Sequence, residues 1–305
     1  MTSECSLTLY FIPSPFGLNW DTPTTLARDI VKNYVAKGKF GNTKRFMGHV
    51  NIELKYNDNG RVVHILTGMV ASKLDAIGLL LKEKVGLGII FHSFPGRLES
   101  KEELDSELDH YSTAGNTMMN FCKYLITPLA AKRIEQYLND YKANDIGRYY
   151  GLFNSPLHGE GAGCSAFGAS FLDVIGGLNT DHKKNWANKV VVPHSLIGAP
   201  LNKKNKVSFF KLLLQNHKWL NKKTDGSHEI FFWDPDLMYQ DTQRKLKNIP
   251  KDVKEIKIKN MSGLQYDLTN TQAPETPIFK RLDKNGKTKS FTPEFEINSN
   301  FHKYN

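Results

Sequence analysis

Cysteine is scarce in this chain, with Cys5, Cys122 and Cys164 the only three among 305 residues. An odd number this small forms no disulfide framework, and at least one thiol stays free. None of the three lies in a CxxC pair, which argues against a structural zinc site. We therefore expect no metal and no cofactor, and each thiol is either a small buried hydrophobe or a reactive group.

Long apolar runs are also missing, since no stretch approaches the roughly 20 residues that cross a bilayer. The opening "MTSECSLTLYFIPSPFGLNW" lacks the charged region, apolar core and small-residue cleavage site of a secretory leader. These absences predict a soluble protein. The compartment stays open: cytoplasmic, or periplasmic or secreted if a leader was removed.

Acidic residues are in the minority, because 41 Lys and Arg face 31 Asp and Glu, for a net charge of +10. This excess favours an anionic partner such as an acidic polymer or a membrane surface, or else is a set of solvated lysines. No RRM, zinc-finger or helix-turn-helix pattern accompanies the lysines, so sequence-specific nucleic-acid binding is not expected. The oligomeric state is not indicated.

One segment combines glycine, cysteine and a helical pattern: "GEGAGCSAFGASFLDV", residues 159–174. Phe167, Phe171 and Ile175 repeat at helical spacing after Cys164, which predicts a helix that begins at this cysteine. The free N–H groups and the positive end of the helix dipole would there lower the pKa of the thiol. Cys164 is therefore the candidate nucleophile, and a small buried cysteine at a loop-to-helix joint is the alternative.

A nucleophilic cysteine needs a base, usually a histidine, and that histidine is oriented by a third polar group. In "GHVNIELKYNDNGRVVHIL", residues 48–66, alternating apolar residues around "NDNG" predict a β-hairpin. His49 starts its first strand and is the candidate base, and His64 on the returning strand is the candidate orienter. A two-residue turn at Asp58–Asn59 would place His64 opposite Glu53, about 13 Å along the strand from His49.

That separation keeps Glu53 and Asn51 as alternative orienters of His49. His158, six residues before Cys164, is a rival base or oxyanion donor. Each histidine also has a structural interpretation, as a strand-edge, sheet-surface or loop residue.

These segments resemble the NlpC-like, papain-fold cysteine peptidases. "GCSAFGASFLDV" is similar to the cysteine segment of that family, "YYGLFN" to its tyrosine-and-glycine segment, and the hairpin to its histidine-bearing strands. The histidines precede the cysteine here, as in the circularly permuted branch that includes the lecithin:retinol acyltransferase-like proteins. Gly163, where the family often has a polar residue, and the long hairpin depart from the family pattern.

The resemblance implies an α+β, permuted papain-like fold with an antiparallel sheet and a helix that bears the nucleophile. It implies Cys164, His49 and His64 as catalytic residues and Tyr150 or Tyr149 as a donor near the oxyanion. Ser165, the next residue along the chain, is a further candidate oxyanion or substrate residue. The implied activity is a thiol peptidase or amidase, with peptidoglycan stem peptides as the favoured substrate. An acyltransferase that uses the same cysteine, and a binding module without catalysis, are the alternatives.

The composition changes near residue 200, where a lysine-rich segment follows Pro200, and this suggests that the chain has two parts. Residues 1–199 would hold the permuted papain-like domain, with its core at about 45–180. Residues 200–305, with "LNKKNK" and a hairpin turn at Asn285–Gly286, would form a basic C-terminal extension or accessory subdomain. Residues 99–111, "ESKEELDSELDHY", are predicted to be an acidic, solvated stretch.

Overall fold

The computed structural model describes residues 4–36, 45, 47–113, 119–275 and 277–279. Within these residues the chain folds as an α+β protein, as predicted, around one large and mostly antiparallel sheet. The expected turn at Asn285–Gly286 lies outside the described residues.

The large sheet has eight strands in the order β6-β4-β3-β2-β1-β5-β10-β9, and a second sheet pairs β7 with β8. Neighbours in the large sheet are antiparallel except for β10, which runs parallel to β5. The strands are β1 (Ser6–Ile12), β2 (His49–Asp58), β3 (Arg61–Ala71), β4 (Phe94–Leu98), β5 (Asn120–Leu125), β6 (Tyr149–Tyr150), β7 (Ala187–Pro193), β8 (Ser227–Trp233), β9 (Val253–Ile258) and β10 (Met261–Asp267).

The α-helices of the described residues are α1 (Pro23–Ala36), α2 (Ala76–Leu81), α3 (Lys101–Thr113), α4 (Pro128–Ala143), α5 (Cys164–Val174), α6 (Thr180–Asn185), α7 (Phe209–Leu214) and α8 (Pro235–Lys247). Helix α4 is capped by Thr127, whose side chain accepts from the Ala130 amide, and Pro128 occupies its first turn. None of the described helices is long and apolar enough to cross a membrane.

The two faces of the large sheet are covered by different helices. Alternate residues of β1 and β2, such as Leu9 and Ile52, pack with the apolar sides of α4 and α5 in the largest core cluster. The opposite residues include Tyr10, which shares a smaller cluster with Leu104 of α3. Helix α3 therefore has a buried side, which corrects the prediction that residues 99–111 are fully solvated.

The predicted hairpin of β2 and β3 forms and turns within "NDNG", one residue later than the Asp58–Asn59 turn considered for the register. Asp58 pairs with Arg61, and Asn59 and Gly60 occupy the turn with φ values of 51° and 96°. Both residue types tolerate positive φ, which a tight hairpin turn of this kind requires. The shift places His64 opposite Lys55 rather than opposite Glu53.

The described residues after position 200 contribute to both sheets: β8 pairs with β7, where Ile230 and Phe232 join a second core cluster, and β9 and β10 extend the large sheet. β10 pairs with β5, and β9 continues the sheet beyond it. Helix α8 contacts β1, β5 and β10. Residues on both sides of position 200 thus share each sheet, because parallel pairing of β10 returns the chain to β5.

Candidate active site

Helix α5 presents Cys164 as its first residue and anchors it through the rest of its length. Phe167 and Phe171 are fully buried in the main core, and Gly168 lies close against Val50 of β2, where a Cβ atom would come within 2.5 Å of the valine side chain. The predicted helix and its start are thus observed. The close packing of α5 on β2 brings Cys164 to the start of that strand.

The loop before α5 depends on Gly161. Its φ is +80°, and a Cβ at this position would lie 2.1 Å from the carbonyl oxygen of Tyr149. Only glycine combines this backbone angle with so close an approach. The glycines before Cys164 therefore let the loop pass tightly against β6.

His49 is the first residue of β2, and the structure brings it to Cys164. Its Nε2 lies 2.7 Å from Oε2 of Glu99, and its ring is close enough to the Cys164 thiol for each group to shift the pKa of the other. Since Nε2 is bonded to Glu99, Nδ1 is the ring nitrogen left to serve the sulfur. The order is Cys164, His49, Glu99: a nucleophile, a base and a carboxylate that orients the base.

The sulfur of Cys164 has further polar neighbours. Sγ lies 3.8 Å from the carbonyl oxygen of Gly48 and 3.7 Å from the hydroxyl of Tyr150, and the backbone amide of Val50 favours its charged form. Cys164 is only 4 % exposed and His49 only 3 %. Charges in this site are consequently little screened by water.

The pKa values of Cys164 and His49 are shifted in opposite directions. Burial alone would raise the pKa of Cys164, but the charge of His49 and hydrogen bonds from His49, Tyr150 and Val50 outweigh it and lower the pKa. For His49, burial and Arg45 lower the pKa, and the charges of Cys164 and Glu99 outweigh them and raise it to about 9. The arrangement therefore stabilises a thiolate–imidazolium pair.

Glu99 is the orienting residue that sequence reasoning missed. It follows β4 directly, and its Oε1 accepts a hydrogen bond from Arg45 at 2.5 Å. Burial alone would raise the pKa of this carboxyl, but His49 and Arg45 lower it to about 2. Arg45 also bonds Glu107 of α3 through Nε at 2.6 Å and Nη2 at 2.8 Å, so the buried charges are mutually paired.

His64 does not orient His49, which corrects the prediction from the sequence. Its Nε2 lies 2.8 Å from Oε1 of Glu53. Lys55, opposite His64, is six residues from His49, so about 20 Å of strand separates the two histidines. The observed register therefore rules out contact between them.

The hydrogen bonds of the alternative orienters go to residues other than His49. Glu53 accepts from the Tyr10 hydroxyl at 3.0 Å and from Lys55 at 2.6 Å. The Asn51 amide donates to Glu107 at 3.4 Å. Asn51 therefore belongs to the charged network behind His49 and is linked to the ring only through Glu107, Arg45 and Glu99.

The expected oxyanion and substrate residues divide into near and distant ones. Tyr150 is near, as described, and burial first, then the charge of Cys164, raises its pKa well above 10, so its hydroxyl stays a donor. The ring of Tyr149 instead lies under the guanidinium of Arg148, at 5.0 Å. The Ser165 hydroxyl donates to the carbonyl of Trp233 at 2.7 Å, which ties α5 to β8.

His158, the rival base, has a different neighbour. Its Nδ1 lies 3.9 Å from Oε1 of Glu160, and its side chain is 39 % exposed. The buried His49 is the histidine whose charge lowers the pKa of the thiol. His158 is therefore not the base in this arrangement.

The other two cysteines differ from Cys164 in their surroundings. Cys122 is buried in the main core, where burial raises its pKa to about 12, as expected for an inert thiol. Cys5 is also buried in that cluster. In the described part of the chain, no group of three or more His, Cys, Asp or Glu is arranged to hold a metal ion.

No family model matches this chain, and searches of curated proteins and of solved structures returned no match. The site is therefore defined by its own geometry.

Proposed function

We propose that the protein is a cysteine-dependent hydrolase that cleaves an amide bond through Cys164 and His49, on a permuted papain-like arrangement. The observation that carries the proposal is the arrangement of three buried side chains in the order Cys164, His49 and Glu99. A cysteine at a helix start, a histidine at a strand start and a carboxylate behind it are the parts of a thiol hydrolase. The chain order, with histidine before cysteine, supports the permuted form.

In the proposed reaction, His49 takes the proton of the Cys164 thiol and the thiolate attacks the substrate carbonyl carbon. The carbonyl electrons move to oxygen, where the first amides of α5 and the Tyr150 hydroxyl are the available donors. When the intermediate collapses, imidazolium gives its proton to the leaving amine and a thioester remains on Cys164. Water then attacks the thioester with His49 as base, which releases the acid and restores the thiol.

Glu99 would act through His49. Its carboxylate fixes the ring orientation by the bond to Nε2 and stabilises the imidazolium that both steps need. Arg45 and Glu107 hold Glu99 in place. We assign these residues positioning roles, because none of them contacts the sulfur.

The favoured substrate is an amide in a small peptide, with a stem peptide of the cell wall as the proposed example. The groups that face the Cys164 sulfur, the Tyr150 hydroxyl and the Gly48 carbonyl, are polar, which supports a polar substrate. A lipid acyltransferase would need a long apolar groove instead. For this reason we place hydrolysis before acyl transfer.

The test is formation and turnover of an acyl-enzyme. The protein is mixed with a p-nitrophenyl ester and with soluble stem-peptide fragments, and intact-mass spectrometry and product chromatography follow the reaction. We expect an acyl adduct on Cys164 and cleaved peptide, both lost in Cys164→Ala and kept in the matched control Cys122→Ala. Wild-type turnover in Cys164→Ala would overturn the proposal.

A further inference from the structure

A pocket of about 770 Å³ lies beside the thiol site, between the segment Phe16–Asp21, strand β7 and the start of α8. This volume is within the range of small-molecule sites. Asp236 in its wall connects it to the thiol site, because a Cβ added at Gly48 would lie 3.1 Å from Oδ1 of Asp236. The proposed thiol chemistry does not use this pocket.

The charge of the pocket is opposite to that of the chain. Its acidic residues are Asp21, Asp29, Asp234, Asp236 and Glu229, and its one lysine or arginine is Lys189. Lys189 forms an ion pair with Glu229, with 3.0 Å between Nζ and Oε2. Among the described residues no cation pairs with the four aspartates, although the whole chain carries a net charge of +10.

Asp236 has an unsatisfied oxygen in the pocket wall. The side chain is 2 % exposed, and its Oδ1 accepts from the Ser14 amide at 2.5 Å. Oδ2 is buried and has no hydrogen-bond partner in the described part of the chain. Burial raises the pKa of Asp236, and bonding to Ser14 and the Leu18 amide opposes this shift only in part. A buried carboxylate oxygen left in this state is stabilised by any donor or cation that reaches it.

Asp234 adds a second buried carboxyl. It caps α8 by accepting from the amides of Asp236 and Leu237, and it accepts from Asn188 at 2.6 Å. Burial, followed by the charge of Asp236, raises its pKa to about 7. Two acids this close repel each other, and a cation between them and solvent would offset the repulsion.

The pocket also presents aromatic surface. The rings of Trp20 and Trp219 are stacked with centroids 6.3 Å apart, and the Trp219 indole donates to the Trp20 carbonyl at 2.5 Å, which fixes the pair. Phe16 lines the same pocket and already has the ammonium of Lys32 4.4 Å from its ring centroid. Aromatic faces and carboxylates together form the usual environment for an organic ammonium ion.

We propose that this pocket binds an organic ammonium ion, held by Asp236 and Asp21 and by the faces of Trp20 and Trp219. The site is independent of the thiol reaction. It therefore stays open to test in a Cys164→Ala protein, and loss of one function does not imply loss of the other.

The probe is choline, compared with its neutral carbon isostere 3,3-dimethylbutan-1-ol, by calorimetry and tryptophan fluorescence at constant ionic strength. We expect choline to bind about tenfold tighter than the isostere, a difference of about 1.4 kcal/mol. Asp236→Asn and Asp21→Asn should each remove most of this preference and leave binding of the isostere unchanged. Asp252→Asn, an exposed acid before β9, should bind choline like the wild type.

Asp21 is exposed on the pocket rim, so Asp21→Asn keeps the test valid even where Asp236→Asn disturbs folding. Equal affinity for choline and its isostere would overturn the proposal. Unchanged choline binding in Asp21→Asn and Asp236→Asn would do the same.

Discussion

The imidazole Nε2 of His49 and the carboxylate Oε2 of Glu99 lie 2.7 Å apart, and both side chains are almost fully buried. This contact fixes which ring nitrogen remains for the Cys164 sulfur. It also supplies negative charge behind the ring, which favours imidazolium and, through it, the thiolate. The reactivity of Cys164 should therefore depend on a residue that does not contact it.

Glu99→Gln tests that dependence. The amide keeps a hydrogen-bonding group at His49 but removes the charge, so the pKa of His49 falls and that of Cys164 rises. We expect the pH midpoint of Cys164 alkylation to move up by about 1 to 3 pH units. Glu103→Gln, an exposed acid paired with Arg97, is the matched control and should leave the midpoint in place. An alkylation midpoint of Glu99→Gln equal to that of the wild type would show that Glu99 does not influence the pKa of Cys164.

The low pKa of Glu99 also predicts how the free energy of unfolding changes in acid. Its pKa is about 2 in the folded protein against an ordinary 4.5, so its contribution is complete above pH 4.5 and is lost as the pH falls towards 2. The difference corresponds to about 3 kcal/mol. Urea unfolding at pH 5 and pH 2.5 should show a smaller loss of stability in Glu99→Gln than in wild type. Parallel losses in the two proteins would contradict the assigned pKa.

Tyr150→Phe tests whether Tyr150 acts as a hydrogen-bond donor or only packs against its neighbours. It removes the hydroxyl 3.7 Å from Sγ and keeps the ring. If that hydroxyl supports the oxyanion, the rate constant of acyl-enzyme formation should fall by about 100-fold with little change in folding. Tyr149→Phe is the control, because the Tyr149 ring lies against Arg148, and its rate should stay near that of wild type. Equal rates in the two variants would assign Tyr150 to packing alone.

His64→Gln examines the residue that the sequence favoured as orienter. Glutamine can keep a hydrogen bond to Glu53, and the site at His49 is distant along the strand. Alkylation of Cys164 should proceed within about twofold of the wild-type rate, as for surface changes away from a site. A loss as large as that of Glu99→Gln would mean that His64 reaches the site in solution.

The sequence predicted the α+β class, the helix start at Cys164 and the hairpin, because each depends on a local pattern of apolar residues and turn-forming residues. It missed Glu99, because a carboxylate at the end of a short strand has the same local pattern as a solvated one. Only the pairing of β4 with β3 places Glu99 behind His49.

The hairpin register shows a second limit. The choice between Asp58–Asn59 and Asn59–Gly60 as the turn decides the partner of His64, and both pairs contain residues that tolerate positive φ. The return of β10 to the sheet was likewise hidden, since parallel pairing across more than a hundred residues has no local signal. Such contacts are set by tertiary packing.

The most direct test of the account is the pH dependence of alkylation at each cysteine. Wild type and His49→Ala are treated briefly with iodoacetamide, small enough for a thiol that is 4 % exposed, between pH 5 and pH 9.5, and labelled peptides are quantified by mass spectrometry. If Cys164 and His49 form a thiolate–imidazolium pair, Cys164 is labelled selectively over Cys5 and Cys122 at mildly acidic pH, and His49→Ala loses that early labelling. Labelling of Cys164 that rises only near the ordinary thiol pKa, in the same way with and without His49, would contradict that pairing.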